Sequence, residues 1–107
     1  INITMIQDPK VGREWRLGNE SLSSLTEDEQ TSYFFLALAF LRVIETLFYQ
    51  RKIGVMEEQL YLSEEKSVRW WVTQPGFIEW WENNPISFSE EFRSFIARLI
   101  KEENATL

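Results

Sequence analysis

The chain has 107 residues, 44% apolar and 26% charged, which is the length and make-up of one globular domain. It has no cysteine and no histidine, so disulfides, thiolate chemistry, Ser-His-Asp or Cys-His catalysis and histidine-based metal sites are excluded. Its net charge is −6 and no Lys/Arg run exceeds two residues, which leaves no basic footprint for phosphates; no nucleic acid is expected as a partner.

The first seven residues, from Ile1 to Gln7, are compatible with the tail of another helix that starts upstream. Asp8-Pro9 then reads as an N-cap followed by proline at the first helical position, where its missing N–H costs nothing. The helix it opens carries Val11, Trp15 and Leu17 and is expected to stop at Gly18. Thr26 to Glu29 is a T-x-x-E capping box, with further acid at Glu27 and Asp28 facing the positive helix end. It predicts the longest helix, about 27 to 53, closed by Arg51-Lys52 and by Gly54 just after. Near its start this helix is apolar all round (Tyr33, Phe34, Phe35, Leu36, Leu38, Phe40), and later it narrows to one face with Val43, Ile44, Leu47 and Phe48. A helix of that kind is expected to be surrounded by others. Its purely apolar stretch is nine residues, Tyr33 to Leu41, before Arg42 intervenes, whereas a membrane span needs about 20, so no crossing is expected.

Glu57-Glu58 start a third helix to about Thr73, with Leu60, Tyr61, Val68, Trp71 and Val72 on one side. Pro75 opens a short fourth helix with Phe77, Ile78, Trp80 and Trp81 on its buried side, ended by Asn83-Asn84-Pro85. The last helix begins near Ser87 or Ser89 and places Phe92, Phe95, Ile96, Leu99 and Ile100 at amphipathic helical spacing. No segment alternates with period two for long enough to be a strand. The expected fold is all-α: one domain over residues 1–107, a compact bundle of about five helices around the long second one.

Arg42 and Glu45 stand one turn apart in the middle of that helix, where an unpaired charge would cost several kcal/mol of desolvation, an estimate of about 3–5 kcal/mol. They read either as an ion pair joined by Arg69 or Arg16, or as the floor of a polar pocket. In the second reading Arg42, with Arg69 as a further candidate, holds a ligand carboxylate or phosphate. No second acid or nucleophile falls at a spacing that would make Glu45 catalytic. Arg69-Trp70-Trp71 and Glu79-Trp80-Trp81 repeat a charge-Trp-Trp unit, and adjacent helical residues point about 100° apart. One ring of each pair can therefore be buried while the other lies at the margin; Trp70 and Trp81 are the candidates for contact with a partner, or for lidding the core with Arg69 stacked on a ring. Calcium-loop spacing and E-x-x-H are both absent, so no metal and no cofactor is expected. N-x-S/T matches occur at Asn2, Asn19 and Asn104.

The run Trp15-Arg16-Leu17-Gly18, then Phe40-Leu41-Arg42-Val43-Ile44-Glu45, Tyr49-Gln50 and Arg69-Trp70-Trp71 continues through Pro75-Gly76-Phe77-Ile78-Glu79-Trp80-Trp81 to Phe88-Ser89-Glu90-Glu91-Phe92. Over about residues 8 to 100 it resembles a group of uncharacterised bacterial proteins with one or two N-terminal transmembrane helices ahead of a small helical soluble domain. The resemblance implies a bacterial origin and a membrane tether upstream of Ile1, and it brings no catalytic residue; the domain itself is expected to be cytoplasmic. The function expected is a non-enzymatic interaction domain that binds a protein partner or a second copy of itself. The alternative is a small-ligand-binding or sensor domain with its pocket at Arg42 and Glu45.

Overall fold

The computed structural model describes residues 8–84 and 88–105, and these form five α-helices, a short 3-10 turn and no strand. Helix α1 is Pro9–Glu20, the 3-10 turn is Leu22–Ser24, and α2 is Glu27–Lys52. They are followed by α3 (Glu58–Trp71), α4 (Pro75–Asn83) and α5 (Glu90–Asn104). The all-α bundle expected from the pattern is the fold observed. The readings that involve residues 1–7, Pro85 and Ser87 lie outside the described residues.

The helix starts follow the capping chemistry. Asp8 Oδ1 accepts from the Lys10 N–H at 3.0 Å, with Pro9 next to it in the first turn. The Thr26 capping box closes in both directions: Thr26 Oγ1 accepts from the Glu29 N–H at 3.2 Å, and Glu29 Oε1 accepts from the Thr26 N–H at 2.9 Å. Glu57 caps α3 by accepting from the Leu60 N–H at 2.8 Å, and Ser89 caps α5 by accepting from the Phe92 N–H at 3.2 Å. At the end of α2, Gly54 takes φ 80°; the Val55 N–H donates to the Gln50 carbonyl and the Gly54 N–H to that of Arg51, both at 3.0 Å. That is a Schellman stop, and glycine supplies the left-handed residue it needs.

Two ends differ from expectation. Helix α1 does not stop at Gly18 but continues to Glu20, with Gly18 buried inside it. The glycine serves packing there: a Cβ would lie 2.3 Å from the Tyr33 ring. Facing it, a Cβ on Gly76 would lie 1.6 Å from the Gly18 carbonyl oxygen, so α1 and α4 cross backbone against backbone. Helix α3 ends at Trp71 rather than Thr73, because Pro75 disfavours helical geometry before it and Thr73 and Gln74 turn back onto the carbonyls of Trp70 and Trp71.

The core joins Tyr33, Ala37, Leu41 and Ile44 of α2 to Val68, Trp71 and Val72 around the end of α3. Phe77 and Trp80 of α4 and Phe92, Ile96 and Leu99 of α5 complete it. Trp71 is its hub, 4.1 Å from Phe77, 4.9 Å from Phe40 and 5.1 Å from Trp15 between ring centroids. Helix α2 is not sheathed on every side, however. Its neighbours cover one stripe, and Phe35 on the opposite face remains 62% exposed. Leu60 at the start of α3, expected inside, is 53% exposed: it stands about 80–100° round the helix from the buried Tyr61 and Val68, at the edge of the covered face. By length and composition alone α2 is long and apolar enough to cross a membrane, because the average over a window dilutes Arg42 and Glu45.

Candidate functional site

A groove of about 590 Å³ runs between α2 and α3. Its floor is aromatic: Trp15, Phe40 and Trp71 line it, with Trp15 and Phe40 5.7 Å apart. Val43, Ile44 and Leu47 form the α2 wall, and Val68 and Trp70 belong to the α3 wall. Val43 is 49% exposed and Trp70 is 55% exposed, so both stand at the rim rather than in the core. The remaining lining is Glu64, Lys66 and Ser67 of α3. Neither Glu64 nor Lys66 makes an ion pair among the described residues. Rings on the floor, aliphatic walls and two uncommitted charges of opposite sign suit the capture of apolar side chains.

A cleft of equal volume lies at the other side of α2, against α5. Its rim is ionic, with Lys52 bonded to Glu91, and Lys52 also sits 5.8 Å from the Tyr49 ring. Lys52 and Glu91 are thus matched within the chain, whereas Glu90 and Arg98, which also line the cleft, make no ion pair among the described residues. The α2–α3 groove is the more enclosed of the two.

Arg42 and Glu45 are brought together, at 3.2 Å, but on a half-exposed side of α2 away from the groove. The Arg42 guanidinium lies 4.4 Å over the Phe88 ring, and neither residue lines the groove. Arg69 does not join them. It bonds to Glu65 at 3.4 Å, Glu102 at 3.5 Å and Glu103 at 2.8 Å, fastening α3 to α5, and these carboxylates raise its already high pKa, Glu103 most. Among the described residues Arg69 does not stack on a ring, since the carboxylates hold its guanidinium; the cation–ring contacts there are made by Arg42, Arg51, Lys52 and Arg98. Arg16 is exposed.

The tryptophan pairs divide inside from outside. Trp71 and Trp80 are buried, Trp70 protrudes, and Trp81 is half-buried between Phe77 and Phe88, 6.2 Å from each centroid. Trp81 thus lids the core, whereas Trp70 edges the groove.

Two buried polar residues are absent from the candidates read in the pattern. Asn19 lies in the core, and its Oδ1 accepts from the Tyr33 hydroxyl at 2.7 Å and from the Trp71 indole N–H at 2.9 Å. Burial pushes the Tyr33 pKa well above its usual value. Glu14, also buried, has Lys10 Nζ at 3.9 Å. The Asn19 motif is thus closed to glycosylation in the folded chain, and the Asn104 side chain donates to the carbonyls of Val72 and Ile100. Nothing in local sequence marks Asn19 as internal, because its partners are 14 and 52 residues away.

No family model matches the chain, and neither a curated protein nor a solved structure matches it significantly.

Proposed function

We propose that the chain is a non-enzymatic helical interaction domain that receives apolar side chains of a protein partner in the α2–α3 groove. The observation that carries this reading is the rim: a tryptophan and a valine, each about half exposed, border a floor in which Trp15 and Phe40 are only partly buried. A folded domain gains by covering such surface, at roughly 25 cal/mol per Å² of apolar area. In the same proposal the domain belongs to a bacterial protein and faces the cytoplasm, held at the membrane by a segment ahead of Ile1. The support for that part is the resemblance in the tryptophan-proline-glycine-tryptophan region.

A small-ligand or sensor role centred on Arg42 and Glu45 is the second reading. It has less support, since Arg42 is committed to Glu45 and to the Phe88 ring and neither residue borders the groove. Binding of an apolar fluorescent dye such as anilinonaphthalene sulfonate tests the preferred reading. Wild-type protein at low concentration is expected to bind the dye, and Val43→Glu to weaken binding at least fivefold. Equal binding by Val43→Glu and wild type removes the groove from consideration.

A further inference from the structure

Resting on that reading, we infer that the occupant of the groove is a second copy of this chain, docked through the same α2–α3 face. An interface between identical copies about a twofold axis must carry both the projecting part and its receptor on one surface. This face does. Trp70 projects at the rim of the cavity that it helps to line, and Val43 stands opposite on α2.

Charge selects the same partner. At a net charge of −6, two copies repel over most of their surfaces. Many of the acids lie elsewhere: Glu27, Asp28 and Glu29 open α2, Glu90 and Glu91 open α5, and Glu102 and Glu103 lie near its end, while on α3 Glu58 and Glu65 are paired with Arg51 and Arg69. The groove lining holds one acid and one base, Glu64 and Lys66, and neither is matched within its own chain. The face is locally neutral, so two copies meet there without the repulsion expected between the acidic helix starts. A strongly basic partner would find little to hold in it.

Two adjacent helices span about 20 Å, and the length of α3 is about 21 Å at 1.5 Å per residue. A footprint of about 400 Å² per copy, about 800 Å² in total, lies below the standard specific interface, so the dimer is a weak and reversible one.

Sedimentation equilibrium over roughly three decades of concentration, up to millimolar, tests the inference. The wild-type mass is expected to rise toward that of two chains. Val43→Glu should stay monomeric, and Trp70→Ala should weaken association at least fivefold; both positions are exposed, and unchanged circular dichroism verifies their fold. Lys66→Glu makes the face acidic and should weaken the dimer at least fivefold. Adding Glu64→Lys to it returns local neutrality and should restore Kd to within about twofold. A wild-type chain that remains monomeric to millimolar concentration overturns the inference. Dimerisation that ignores both Val43→Glu and Trp70→Ala overturns it as well, because another surface is then responsible. Dye binding by the same samples separates the two ideas. A monomer that binds dye in a Val43-dependent way keeps the groove as an interaction site for another partner, and one that does not loses both.

Discussion

Asn19 holds three elements together with one oxygen, accepting from Tyr33 of α2 and Trp71 of α3 while its own backbone belongs to α1. Asn19→Ala strands two buried donors, each worth about 1–3 kcal/mol when unpaired, and is expected to cost about 2–4 kcal/mol in urea unfolding. Tyr33→Phe removes donor and bond together and should cost about 1 kcal/mol. An Asn19→Ala loss no greater than that of Tyr33→Phe would show that the shared oxygen matters little. Glu29 offers a pH test. Its carboxylate is held below the usual pKa of 4.5, first by the Thr26 backbone N–H and next by Arg13. A depressed folded pKa gives stability that is present above the unfolded value and lost as pH falls through the folded one. Glu29→Gln should therefore flatten the stability profile as pH drops from about 5 to about 3, read as chemical-denaturation midpoints. At this scale the capping Thr26 and Glu29 were legible, because cap and partner stand three residues apart. Asn19 was not, because polarity at one position does not reveal a ring arriving from far along the chain.

Among the elements, α1 and α4 are locked by the contact between Gly18 and Gly76. Gly76→Ala would place a methyl group into a carbonyl oxygen, so the helices must separate; a loss of about 3 kcal/mol or more is expected, or no folded protein at all. Gly54→Ala meets no neighbour but inherits φ 80°, and it should cost only about 1 kcal/mol. Thermal melts of the two variants side by side check the order. Each helix was visible in the pattern because caps, prolines and apolar spacing agree. Gly18 was misread as a stop because the same residue that ends helices also lets two of them touch. Only the position of Gly76, brought in by α4, tells the two uses apart.

For the whole molecule, the decisive property is that α2 is clothed on one side. Leu41 lies wholly inside and Val43, two residues on, lies half outside. Leu41→Ala is expected to cost about 2–5 kcal/mol, whereas Val43→Glu should change stability by no more than about 0.5 kcal/mol, both measured by chemical denaturation. A large loss at Val43 would mean that the groove wall belongs to the core. The groove escaped the sequence because α2 is apolar on both flanks, and which flank is covered depends on where the loops deliver α1, α4 and α5. The long-range lock on α1 also fixes an order of events during synthesis. Trp71 lies 52 residues after Asn19, so at ribosomal speeds of about 5–20 residues per second the first helix waits roughly 3–10 s for its anchor. Gly76 emerges later still. Through that interval a nascent chain exposes Trp15 and the sequon at Asn19, and a transcript cut short after α3 would yield a first helix with no α4 to cross.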